Sequence, residues 1–213
     1  MPPVIPPPGV DLPATFGDID IYLFDQLLRG RFDRRPRVLD AGCGDGRNLM
    51  YLLRRGFTCF GIDRDPAAIE RVRGFAAQLA PDLPLQNFCT GEIDHLPWPE
   101  GSMDAVVSSA VLHFASDLEH FDRMVEEMWR VLAPDGMLFV RLASNIGLEG
   151  VVGAAGRSVR LPDGSDRFVV DEAILLERTQ RMGGRLLDPL KTTNVQQRRC
   201  MTTWCIGKAG ATV

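Results

Sequence analysis

The sequence predicts a three-layer α/β fold, a mostly parallel sheet covered by helices on both faces. Three observations predict it. Short apolar runs alternate with helix-length amphipathic segments over most of the 213 residues. A glycine-rich bend, Gly42-Cys43-Gly44-Asp45-Gly46, joins the first apolar run to the first helix after it. An acidic residue, Asp63, closes the second run.

The elements follow in order. The opening residues 1–17 are proline-rich, without helical periodicity, and read as an extended arm. Residues 18–213 read as one domain. Asp18 to Phe32 reads as a helix with Ile21, Phe24, Leu27 and Leu28 on one face. Val38–Ala41 is the first strand, and Gly46 to Arg55 a helix closed by Gly56. Phe57–Asp63 is the second strand. Asp65 caps a helix with Pro66 in its first turn, running to about Ala80. Leu83–Cys89 and Met103–Val111 are the third and fourth strands, the latter apolar enough for burial on both faces. Ser116 and Glu119 form a capping-box pattern ahead of a stripe through Phe121, Met124, Val125, Met128, Trp129 and Leu132. Pro134-Asp135-Gly136 makes a turn, and Met137–Ala143 the fifth strand. The region 145–170, rich in glycine and charge, reads as an excursion that would serve as a lid over substrate. Asp171 to Met182 is a helix ended by two glycines, and Arg185 to Lys208 holds two extended segments in antiparallel pairing.

Composition narrows the function. A formal net charge of −4 disfavours a whole-molecule binder of nucleic acid or anionic membrane. The basic run Arg29 to Arg37 reads as a solvated linker, because Phe32 is its one base-stacking aromatic. Five cysteines with no C-x-x-C spacing point to reduced thiols in a cytoplasmic setting, with no metal site.

A bend that leaves a parallel strand and enters a helix lies at the carboxyl edge of the sheet, where open α/β sheets bind ligands. Glycines there let a nucleotide-like ligand approach the backbone, and the following helix start favours an anionic group. A dinucleotide fingerprint would need a third glycine where Arg47 stands. A carboxylate at Asp63 suits the two hydroxyls of a ribose.

VLDAGCGDGRN, GIDRDPAAIE, GEIDHLPWPEGSMDAVVSSAVLHF and MWRVLAPDGMLFV together resemble the ordered motifs of class I S-adenosylmethionine-dependent methyltransferases. The resemblance covers roughly Arg37 to Leu142. It implies a Rossmann-like seven-stranded sheet of order 3-2-1-4-5-7-6 with strand 7 antiparallel, S-adenosylmethionine as cofactor and S-adenosylhomocysteine as its product. It places Asp40, Gly42, Cys43 and Gly44 around the methionine moiety, Asp63 on the ribose, Arg64 beside the adenine, Glu92 and Ile93 at the adenine edge, and Ser108 and Ser109 beside the sulfonium. Glu92 departs from the usual Asp. Arg47 and Asn48, at the helix start, are further cofactor candidates. His113, just past the fourth strand, is the candidate base. Tyr22, Arg141, Ser144 and Asn145 are substrate candidates at the pocket edge, with a small-molecule acceptor as the expected partner. RNA or protein methylation through a local basic patch, and a non-catalytic cofactor-binding module, are the alternatives.

Overall fold

The computed structural model describes residue 9 and residues 11–210. Ten strands and seven helices follow in the order α1 Leu12–Phe16, α2 Ile21–Leu28, β1 Arg37–Ala41, α3 Leu49–Arg54, β2 Thr58–Asp63, α4 Pro66–Leu79, β3 Phe88–Thr90, β4 Met103–Ser109, α5 Leu118–Val131, β5 Leu132–Ser144, α6 Glu149–Val152, β6 Arg157–Arg160, β7 Asp166–Val169, α7 Glu172–Arg181, β8 Gly184–Leu186, β9 Lys191–Val195 and β10 Arg199–Lys208. None of the described helices is long and apolar enough to cross a membrane.

The main sheet runs β3-β2-β1-β4-β5-β10-β8, parallel up to β5 and antiparallel from β5 onward. With β10 as the seventh strand and β8 as the sixth, this is the expected order. The sheet has eight strands rather than seven because β9 also pairs with β10, against Arg199 to Thr203, while β8 pairs with Ile206 to Lys208. Leu187 N still donates to Cys205 O at 2.9 Å between them, so β8 and β9 are one edge strand bent at residues 187–190. Pro189 lacks an amide hydrogen, so the ladder breaks there.

Strand periodicity sorts the core onto two faces. Val38, Ala105, Val107, Met137, Phe139 and Cys205 pack with α2, α3 and α4. Their alternates Leu39, Val106, Leu138, Val140, Trp204 and Ile206 pack with α5 and α7. Trp204 is fully buried, and its indole N–H donates to Thr179 Oγ1 at 2.9 Å.

Several local expectations are corrected. Residues 1–8 and 10 of the proline-rich arm lie outside the described residues, but Leu12–Phe16 is helical, because Asp11 accepts the Ala14 amide as its cap. The third strand shrinks to Phe88–Thr90, since Pro84 leads into a 3₁₀ turn over Leu85–Asn87. The cap of α5 is Asp117, whose Oδ1 accepts from His120 N at 2.8 Å, in place of the Ser116–Glu119 box. The 145–170 excursion is ordered into α6 and the β6–β7 hairpin. Phe168 of β7 stacks on Phe121 of α5 with centroids 5.4 Å apart, anchoring that hairpin to the body.

The arginines of the 29–37 run are largely neutralised in place. Arg29 and Arg31 face Asp188, Arg29 also meets Asp25, and Arg37 meets Asp104.

Candidate functional site

At the carboxyl edge of the sheet the chain leaves β1 and folds back on β2. The amides of Gly42 and Cys43 both donate to Ile62 O, at 2.8 and 3.0 Å. Asp63 then fixes the bend: its Oδ2 accepts from Gly44 N at 2.8 Å and its Oδ1 from Asp65 N at 3.0 Å. Gly44 has φ +49° and no atom within 4 Å of where a Cβ would stand, so its missing side chain opens onto space. At Gly42, φ +81°, a Cβ would lie 2.5 Å from Val111 Cγ2. There the glycine permits close packing of the loop on the segment after β4.

That open space is a cavity of about 610 Å³. Of the residues expected at the cofactor, Gly42, Cys43, Gly44, Arg47, Asp63, Arg64, Glu92, Ile93 and Ser109 line it. Asp40, Asn48 and Ser108 do not; they are buried beneath it. Asn48 Oδ1 accepts the Asp20 amide at 3.0 Å, which ties the helix entry to α2. Asp40 is 1% exposed, and burial pushes its carboxyl up to about 7 against the opposing pull of Arg47 and Asn48.

A second cavity, of about 560 Å³, adjoins the first. Arg47, Ala110 and Phe114 line both. Ala110 has φ +65°, a conformation costly for a residue with a Cβ, at the junction of the two spaces. His113, Arg141 and the hairpin residues Leu161, Asp163, Ser165 and Arg167 wall the second cavity, with Thr193, Arg199 and Met201 from the antiparallel edge. His113 is 6% exposed, and its Nδ1 has no partner. Burial, then the charges of Arg167 and Arg141, lowers its pKa to about 4, so it does not titrate near neutrality as a histidine usually does.

Two substrate candidates are displaced. Ser144 is fully buried with its Oγ 2.7 Å from Thr202 Oγ1, and Asn145 donates to Gly153 O at 2.8 Å. Both hold the root of the excursion and line neither cavity, because β5 has already passed beneath the hairpin. Tyr22 acts at one remove: its hydroxyl is hydrogen-bonded to Thr193, and the Arg141 guanidinium lies 4.9 Å from its ring centroid.

Sequence reasoning missed Asp20. This 4% exposed residue caps α2, and its Oδ2 accepts from Ser109 Oγ at 2.8 Å and Arg141 at 3.3 Å, with Arg47 at 3.6 Å. Its signal was a capping aspartate ahead of an apolar helix start. Phe114, half-exposed between Arg64 at 5.9 Å and Arg167 at 5.0 Å, was also missed. His120 also lines the first cavity.

The sheet order, the bare bend and the carboxylate facing it agree with the Rossmann-like fold and cofactor bend that the sequence motifs lead one to expect. Residues 39–140, just under half of the chain, match the family model described as "Methyltransferase domain". A stretch of 76 residues is 34% identical to the 2-heptyl-1-hydroxyquinolin-4(1H)-one methyltransferase of Mycobacteroides abscessus, covering 36% of this chain and 33% of that protein. The chain spans less than half the length of the curated relatives it matches. Among solved structures, the [4+2]-cyclase SpnF superposes with a TM-score of 0.69 at 19% identity, covering 88% of this chain and 82% of that one. The 1,6-didemethyltoxoflavin-N1-methyltransferase of Burkholderia thailandensis, with bound 1,6-didemethyltoxoflavin and S-adenosylhomocysteine, gives 0.62 at 17% identity over 89% and 81%. At these identities the structural likeness is one of fold.

Proposed function

We infer that the chain transfers the methyl group of S-adenosylmethionine to a small-molecule acceptor. The observation that carries the reading is the pair of adjoining cavities, one at the glycine bend and one behind it, meeting at Ala110 and Phe114. A bare cofactor-binding module needs only the first. The named relatives include proteins described as acting on, or crystallised with, small heteroaromatic molecules. Among the alternatives, RNA binding through residues 29–37 is disfavoured by the ion pairs that occupy Arg29, Arg31 and Arg37.

The donor set fits the cofactor. Asp63 has lone pairs beyond the two that hold Gly44 and Asp65, so it can also accept ribose hydroxyls. Gly44 leaves the room, Glu92, Ile93 and Arg64 stand on the adenine side, and Arg47 with Ser109 faces the methionine end. When bound, the sulfonium supplies an electrophilic methyl group. The chain's own contribution is position and dryness, which can remove about 7–11 kcal/mol of barrier in such displacements. His113 is uncharged at neutral pH and lines the acceptor cavity, its Nδ1 buried and unpartnered. Its lowered basicity suits a hydrogen-bond partner that orients the acceptor more than a strong base. The β6–β7 hairpin, through Leu161, Asp163, Ser165 and Arg167, covers the second cavity as its lid.

Calorimetry with S-adenosylmethionine and S-adenosylhomocysteine, followed by methyl-transfer assays with a panel of small acceptors, tests this. Binding in the micromolar range with turnover on part of the panel is expected. Absence of heat with either cofactor form at millimolar concentration overturns the reading. Because one structural neighbour is a cyclase, the assay must detect methylated product rather than substrate loss.

A further inference from the structure

The second cavity is walled by charge of one sign. Arg47, Arg141, Arg167 and Arg199 line it against one carboxylate, Asp163. Two of the arginines are committed, since Arg47 and Arg141 face Asp20 at 3.6 and 3.3 Å. The other two enter no ion pair among the described residues. Arg167 donates to the backbone carbonyl of Asp166 and lies over the Phe114 ring. Asp163 forms no salt bridge with either of them among the described residues. Its Oδ1 is turned to Ser165, accepting from the amide at 3.0 Å and the hydroxyl at 2.6 Å. These bonds, with Arg199 and Arg167 beyond them, hold its carboxyl below the usual range, so it stays ionised. One carboxylate against two unpaired guanidiniums leaves the wall positive.

A separate feature points to a ligand in the same space. His113, more than nine-tenths buried, lines the cavity with its Nδ1 unpartnered. A buried polar atom of this kind costs free energy until something pairs with it. Apart from Ser165 and Thr193, the remaining wall carries apolar side chains, and Phe114, Leu161, Met201 and Ala143 suit a carbon skeleton rather than a hydrated ion.

We propose that the second cavity takes a carboxylate-bearing organic acceptor, its carboxylate seated between Arg167 and Arg199 and its methyl-accepting atom beside His113 and Ala110. This rests on the reading of that cavity as the acceptor site. Planar guanidiniums match a carboxylate bidentately, which gives orientation as well as attraction. Apolar walls with a cationic end select amphipathic acids over neutral molecules of equal size.

The test is calorimetry of matched pairs against the full chain, with and without S-adenosylhomocysteine. The probes are 4-hydroxybenzoate with 4-hydroxybenzamide, indole-3-acetate with its amide, 2-aminobenzoate with its amide, and phenyl phosphate. At least one acid is expected to bind tenfold or more tightly than its amide. The Arg167→Gln/Arg199→Gln double variant is expected to abolish that preference while keeping its affinity for S-adenosylhomocysteine and its melting temperature. No acid outbinding its amide, or a preference unchanged in the double variant, overturns the proposal. So does tighter binding of phenyl phosphate than of every acid. Loss of S-adenosylhomocysteine binding alone would instead sink the methyltransferase reading, and the acid titrations without it would still report on the arginine pair.

Discussion

Ser109, at the end of β4, donates its hydroxyl to Asp20 Oδ2 across 2.8 Å, joining the sheet edge to the cap of α2. The same oxygen collects Arg141 and Arg47. One buried carboxylate thus ties the start of α2 to the sheet edge and to two arginines that line the cavities.

Replacing Asp20 with alanine leaves these donors unpaired. A loss of about 1–3 kcal/mol is expected in urea denaturation, with Asp20→Asn milder because one acceptor survives. Affinity for S-adenosylhomocysteine should fall as well, since Arg47 and Ser109 line its cavity. An unchanged urea midpoint for Asp20→Ala would show that the network contributes nothing.

The two bend glycines should fail in different ways. Gly44→Ala places a methyl group in open space at φ +49°, so strain of about 1 kcal/mol is expected. The protein should still fold, with cofactor affinity reduced tenfold or more by the intruding methyl. Gly42→Ala drives its Cβ to 2.5 Å from Val111 Cγ2, and stability should suffer first. Val111→Ala in that background should restore part of it, and a double variant no more stable than the single one would refute the steric account.

The pH dependence of stability carries two opposed contributions. Asp40 is raised from 3.8 to about 7, so the folded state keeps a proton that the unfolded chain gives up; its contribution declines as pH rises through that window. His113 is lowered from 6.5 to about 4, so the unfolded chain gains a proton that the folded state refuses; its contribution is lost as pH falls through nearly the same window. Wild-type stability should therefore slope little between about pH 4.5 and 6.5 on account of these two groups. Asp40→Asn should expose loss of stability on acidification, and His113→Gln the reverse. Denaturation midpoints across that range check the signs, and matching slopes for both variants would contradict them.

A fourth expectation concerns the fold alone. Arg178 binds Asp122 through Nε at 2.8 Å and Nη2 at 2.9 Å, tying α7 to α5, with the arginine side chain only 7% exposed. Arg178→Met leaves Asp122 only the longer contact with Arg181 at 3.6 Å and should cost about 1–3 kcal/mol. Thermal or urea unfolding reads this directly, and a change within experimental scatter would mean that solvent already satisfies Asp122.

The parts legible in the sequence are those with local causes. Asp65-Pro66 marked the start of α4 correctly because cap and first-turn proline act within a few residues. Val106 and Val107 announced a doubly buried strand by being adjacent and apolar. Gly44 and Asp63 were readable as a cradle because the two loops follow neighbouring strands. Asp117 displaced the Ser116 cap because two acceptors stood side by side and only packing chose between them. The second cavity was mostly illegible. His113, Arg167 and Arg199 lie on three segments far apart in the chain, and only the β6–β7 hairpin and the bent edge strand bring them together. Ser144 and Asn145 misled for the converse reason: being next to a strand end says nothing about which side a hairpin will cover.

The bend at residues 187–190 has an effect beyond register. An outermost strand with a long, straight row of open amides and carbonyls invites a stranger's backbone to zip onto it. Here the rim offers three residues in β8 and five in β9, offset from each other, while the opposite rim, β3, is three residues long. Pro189 removes a donor at the break, and Arg31 secures the turn by donating to Leu187 O at 2.8 Å and Asp188 at 2.9 Å. Both borders of the sheet are thereby too short or too crooked to template fibril growth.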